Sequence, residues 1–157
     1  MIRVVLLAPE IPPNTGSIAR LCAATDTELH LIEPLGFSLD EKHLKRAGLD
    51  YWPHVKLSVW PDFTAFLAAT PCRVVPTTAG NRADLPRGEP YHRFTFTPED
   101  ALVFGSESSG LPEEILAAYP DAVRIPIWGK VRSLNLANAA TLVLYEALRQ
   151  AGELEGK

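Results

Sequence analysis

Metal-ligand spacing, a disulfide framework and a membrane span are all missing from this sequence, and each absence narrows what the chain can be. Cys22 and Cys72 are the only cysteines, far apart, with no CxxC and no histidine at ligand spacing. They read as small apolar side chains of a core, and no metal site is expected. No apolar run approaches the ~20 residues that a bilayer-crossing helix needs, so no membrane partner is expected. The opening segment Met1–Ala8 has one basic residue and no small-residue cleavage site. It reads as a strand rather than an export signal, and a cytoplasmic location is expected. GxGxxG and GK[ST] are absent, which argues against a dinucleotide fold or a P-loop. Positive charge is scarce too: Lys+Arg number 15 against 19 Asp+Glu, a formal net charge of −4. Nucleic-acid-binding domains are usually basic. Any such face here must gather its cations locally, from Lys42-His43-Leu44-Lys45-Arg46 or from Arg82, Arg87 and Arg93; taken alone, each group also fits a solvated surface.

What remains is a chain of 157 residues, 46% of them hydrophobic, enough for one domain over 1–157 with a real core. Short apolar segments alternate with helical spacing, the pattern of a mostly parallel sheet with helices on both faces. Strands are predicted at Val4–Leu7, Leu29–Ile32, Val55–Trp60, Arg73–Val75, Leu102–Phe104 and Val123–Ile127. Ile18, Leu21, Cys22 and Thr25 mark a first helix. The Ser38–Glu41 capping box opens a second, with Gly48 as its stop. A third runs from about Asp62 to Pro71, and a fourth starts at Pro112, a residue suited to a first helical turn. Gly80 to Pro98 reads as a surface loop. The last helix, about Leu134 to Gln150, is apolar nearly all round. Such a helix is expected to be covered on both sides, most simply by a second copy of the chain, so a homodimer is expected.

Three segments carry candidate chemistry. Pro12-Pro13-Asn14-Thr15-Gly16 through Arg20 follows the first strand, and a strand–turn–helix opening there is a natural anion site. Asn14 or Thr15 equally fits the helix cap. Arg20, about one turn in, reads as reaching back to the strand ends where open α/β sheets bind ligands. Phe104-Gly105-Ser106-Glu107-Ser108-Ser109-Gly110-Leu111-Pro112 sets two glycines around a small polar loop with Glu107 as its only charge. By spacing alone it also fits an ordinary βα loop. Ile125-Pro126-Ile127, followed by Arg132-Ser133-Leu134-Asn135-Leu136-Ala137-Asn138, opens an apolar helix with two asparagines that need partners or a ligand.

In this order the three segments closely resemble the SPOUT superfamily of RNA methyltransferases. They are most similar to its small tRNA (cytidine/uridine-34 2′-O)-methyltransferase group. The resemblance covers nearly the whole chain, including Ala8-Pro9-Glu10-Ile11, Ile32-Glu33-Pro34-Leu35-Gly36-Phe37, Arg46–Tyr51 and Leu142–Ala147. It implies a deep C-terminal trefoil knot, which pattern alone would not suggest. It also implies S-adenosyl-L-methionine (SAM) as methyl donor, bound largely by backbone at the positions of Pro76, Gly105, Ile125 and Ser133. Arg20 and Asn14 are implied as catalytic. Glu107, Asn138 and Tyr145 are implied on the substrate side, facing a tRNA anticodon stem-loop across a dimer. One departure stands out: relatives usually carry serine where this chain has Val131, after Trp128-Gly129-Lys130. Two alternatives remain: a SPOUT enzyme acting on rRNA or another tRNA position, and a non-catalytic RNA-binding module on the same fold.

Overall fold

A computed structural model describes residues 1–40, 42, 46 and 51–157. The helix expected between the Ser38–Glu41 capping box and Gly48, with most of the basic run 42–46, lies outside the described residues. Five strands form one all-parallel sheet: β1 (Arg3–Leu7), β2 (Glu28–Ile32), β3 (Lys56–Trp60), β4 (Arg73–Pro76) and a strand over Asp100–Phe104. A short strand, β5 (Glu89–Pro90), precedes that last one, which is therefore β6; the order across the sheet is β3-β2-β1-β6-β4. All six predicted strands form, within a residue or two at most boundaries. Val123–Ile127 shortens to β7 (Val123–Arg124) because it pairs with β5 outside the main sheet.

Strand residues alternate between two faces, and each face has its own core. Val4, Leu6, Leu29, Leu31, Leu102 and Phe104 pack against Ile18, Ala19 and Cys22 of α1 (Pro12–Ala24) and Val143, Leu144 and Ala147 of α4 (Leu136–Gln150). Val5, Val74, Ala101 and Val103 meet Phe66 of α2 (Phe63–Ala69) and Leu116 of α3 (Glu113–Ala118). Asp62 caps α2 by accepting from the Ala65 N–H, the role its place before an apolar helix suggests. Burial drives the Cys22 thiol up to about 12, so it is an inert core side chain, while Cys72 is half-buried.

Two features of the winding position the site. First, β1 and β6 are adjacent although far apart in sequence. β2 and β3 extend the sheet one way from β1, and β6 and β4 the other, so their carboxyl ends mark the point where the winding reverses and where such sheets bind ligands. Second, the segment 122–124 bonds on both sides. The Val123 carbonyl accepts from Thr78 N–H, while those of Ala122 and Arg124 accept from Glu89 and Tyr91 N–H. The late chain thus runs between the two ends of the 78–89 excursion, which is why the expected surface loop contains a strand.

At the opposite, β2–β3 side, His30 is 5% exposed. Its Nδ1 accepts from the Trp60 indole N–H at 3.0 Å. An indole only donates, so Nδ1 is unprotonated and Nε2–H donates to Glu28 Oε2 at 3.1 Å. Desolvation lowers the His30 pKa despite the raising effect of Glu28. The unfolded chain therefore takes up the proton first as pH falls. Stability from this group is fully present above roughly pH 6.5, the unfolded value, and is lost below it. Urea denaturation is expected to show a midpoint falling through that range in the wild type, with a flatter slope in His30→Gln.

Candidate active site

The loop residues that end β1, β4, β6 and β7 close around one cavity of about 510 Å³, within the size range of small-molecule sites. Its construction starts from α1, which opens on Pro12 and Pro13 and whose N-cap, Ile11, offers no side-chain hydrogen bond. Prolines suit these positions, but the exposed N–H groups just ahead still need acceptors. Glu107 supplies them from the β6 loop. One carboxylate oxygen accepts from Glu10 N–H at 2.9 Å, and the other from Ile11 N–H at 2.7 Å and Asn14 Nδ2 at 3.3 Å.

The clamp is reciprocal. Glu10 Oε1 accepts from the Ser108 hydroxyl at 2.6 Å and the Ser108 N–H at 3.2 Å, and these bonds hold its carboxyl below the usual range. Asn14 carries the connection onward: its Oδ1 accepts from Asn135 Nδ2 at 3.0 Å. Asn135 in turn caps α4, its Oδ1 accepting from Ala137 and Asn138 N–H. Three loops separated widely in sequence are thus joined by one hydrogen-bonded chain, Glu107–Asn14–Asn135. A fourth contact comes from Arg82, whose guanidinium donates to the Ser109 and Leu111 carbonyls.

The anion site expected at the opening of α1 is therefore filled by the chain's own carboxylate. Glu107, expected on the substrate side, has both oxygens bonded to donors of the α1 segment, and it also lines the cavity. Asn14 sits inside α1 rather than capping it. Gly105, Ile125, Ser133, Glu107 and Asn14 all line the cavity, and Pro76 is the buried end of β4 immediately before the lining residue Thr77. Arg20, Asn138 and Tyr145 do not line it. Because α1 begins at Pro12, Arg20 lies about two turns in; it is exposed, with its guanidinium 4.6 Å from the centre of the Tyr51 ring. Asn138 and Tyr145 lie on the exposed side of α4, and Tyr145 borders a different hollow beside Met1 and Ile2. Arg82 is marked in the sequence only as part of a candidate cationic face, and Glu10 and Thr77 carry no signal of their own that marks them as site residues. The partners of Arg82 and Glu10 are 27 or more residues away, and only their polar types inside loops hint at a role.

Two features bear on a polar ligand such as SAM: the fold of the β6 loop that walls the cavity, and an unpartnered buried hydroxyl. A Cβ at Gly105 would lie 2.1 Å from the Gly110 carbonyl carbon, so only glycine lets the β6 loop fold back on itself, and Gly110 completes the turn at φ +67°. The Thr77 hydroxyl oxygen is buried against the cavity with no hydrogen-bond partner, a vacancy that a ligand polar atom would satisfy.

A profile of the SpoU rRNA Methylase family matches residues 1–145, and the chain belongs to that family. The tRNA (cytidine(34)-2′-O)-methyltransferase of Aeromonas hydrophila subsp. hydrophila is 49% identical over 155 residues, covering 97% of this chain and 96% of that one. A solved structure described as structural insights into the 2-OH methylation of C/U34 on tRNA has a TM-score of 0.89 and 50% identity, covering 98% of this chain and 97% of its own. The SpoU methyltransferase AviRb from Streptomyces viridochromogenes, in complex with the cofactor AdoMet, has a TM-score of 0.79 and 28% identity; the match covers 98% of this chain and 61% of AviRb.

Replacing Glu107 by glutamine puts an amide N–H₂ against N–H donors. The expected cost is about 1–3 kcal/mol, read as a fall of several degrees in thermal midpoint. Glu107→Asp, too short to hold both backbone groups, should fall between wild type and Glu107→Gln.

Proposed function

We propose that this chain transfers a methyl group from SAM to the ribose 2′-oxygen of the tRNA wobble nucleotide, cytidine or uridine at position 34. It would do so as a cytoplasmic homodimer on a C-terminal trefoil knot. The observation that carries the chemistry is that all three motif-bearing loops close on one cavity. The near-full-length likeness to tRNA (cytidine(34)-2′-O)-methyltransferase supports the wobble target, although the family's own description names rRNA. The passage of 122–124 between 77–78 and 89–91 supports a threaded C-terminal segment.

Bound SAM would supply an electrophilic methyl group on its sulfonium. Backbone groups beside Pro76, Gly105, Ile125 and Ser133 would hold it, with the Thr77 hydroxyl meeting one of its polar atoms. The 2′-hydroxyl must lose its proton as attack proceeds. A guanidinium keeps its proton and is a poor base, so Arg20 is assigned to stabilising the developing alkoxide or pinning an adjacent phosphate. Asn14, tied to both Glu107 and Asn135, fixes the α1 loop on which Arg20's helix depends.

Within one chain Arg20 stands outside the cavity. A second copy would resolve this, the completed site taking its cofactor loops from one protomer and Arg20 from the other. The face of α4 left exposed by this chain carries Asn138, Leu142 and Tyr145 and is the surface proposed for the contact. Asn138 and Tyr145 would then reach the RNA from the dimer seam.

Incubating the protein with labelled SAM and bulk tRNA, then mapping nucleosides, is expected to place label on the 2′-O-methyl of nucleotide 34. Label on rRNA alone, or on a base, would overturn the reading. Arg20→Ala should lower kcat at least about a hundredfold, as for loss of a transition-state donor, with SAM affinity retained. Mixing Arg20→Ala with Gly105→Ala protomers should recover activity that neither homodimer has. No recovery from demonstrably mixed dimers would place Arg20 and the cofactor loops in the same chain.

A further inference from the structure

The segment between β7 and α4 holds the most exposed large hydrophobic side chain among the described residues, Trp128 at 92%. It follows Ile127, which lines the cavity, and the chain rejoins the cavity wall at Arg132. Residues 128–131 therefore leave the wall and return to it, and Trp128 itself is not among the lining residues. Among the described residues no ring contact involves its indole, unlike that of Trp60. Lys130 and Arg132 beside it are exposed.

Charge points to what meets this ring. From Ala122 to Tyr145 the chain carries Arg124, Lys130 and Arg132 and not one carboxylate, in a protein whose formal net charge is −4. A free aromatic face between cations, next to a cavity, matches recognition of a single-stranded polyanion, in which bases stack and phosphates pair with Lys or Arg. Gly129 has open space around its missing Cβ, so nothing crowds the approach.

We propose that Trp128 is a stacking platform for a nucleobase of the RNA substrate, with Lys130 and Arg132 on the flanking phosphates. This rests on the methyl-transfer reading and adds to it a residue that holds the acceptor nucleotide's neighbourhood outside the cofactor cavity. The ring lies beyond the cavity wall, so it serves RNA binding and leaves cofactor binding unaffected.

The test uses the full-length protein and an unmodified anticodon stem-loop RNA. Trp128→Ala is expected to raise KM for the RNA roughly tenfold, the scale of one lost base–aromatic stack, with little change in kcat. Trp128→Phe, which keeps a π face, should restore most of the affinity. RNA should also quench tryptophan emission of the wild type, and that quenching should vanish in Trp128→Phe although the RNA still binds. Unchanged KM in Trp128→Ala would sink the inference alone, provided the wild type methylates RNA. A loss that tracks dissociation of the dimer in sedimentation, or weaker SAM binding in calorimetry, would reassign the ring to an interface or to the cofactor. Wild-type protein that neither binds nor methylates the RNA would overturn the methyl-transfer reading and this inference together.

Discussion

A helix that begins with two prolines and has isoleucine at its cap leaves the N–H groups just ahead of it, on Glu10 and Ile11, without a local acceptor. In this chain the acceptor is Glu107, 96 residues further on. The carboxylate meets both the unpaired donors and the positive end of the helix dipole. Glu10 returns the contact by taking the Ser108 hydroxyl and N–H. The two loops at the reversal point of the sheet are consequently held to each other by two crossed carboxylates. Through Asn14 and Asn135 the same network fixes the start of α4. A cavity walled by loops is ordinarily adaptable; this one is preorganised, because the α1 segment is bonded to both of the others and neither can move without breaking bonds to it.

That network also explains which features are legible in the sequence and which are not. The strands of the main sheet are legible because buried parallel strands are short apolar runs, as Val4-Val5-Leu6 and Leu102-Val103-Phe104 are. The opening of α1 is legible as an anion site, but the anion is not, since nothing local ties Ile11 to Glu107. Reading Pro12-Pro13 as turn rather than first helical turn puts Arg20 one turn in, on the cavity rim; the earlier start carries it to an exposed position beside Tyr51. β5 and the pairing of β7 with it are hidden because each strand spans two residues and exists only where the late chain passes the 78–89 excursion. Asn135 is legible as a residue needing partners, which it has on both sides. Asn138 lies exposed, and its backbone N–H is engaged by Asn135.

The net negative charge weighs against RNA binding, and its distribution removes that objection. Acidic groups of the site are consumed internally: Glu10 and Glu107 each accept from the opposite loop. Asp100, fully buried, is met by Arg73 and by Thr97. Elsewhere Glu28 pairs with Arg3, and Glu146 with Arg149. The cations of the loop after β7 stand exposed with no carboxylate near them in sequence. Beyond the screening length of about 8–10 Å, repulsion of an approaching polyanion by the net charge is largely screened out. Inside that distance it meets the local field, which at this loop is positive. Neutralised carboxylates and one acid-free segment let a protein of net negative charge keep the exposed cations Lys130 and Arg132 at the edge of the cavity, which Arg132 lines.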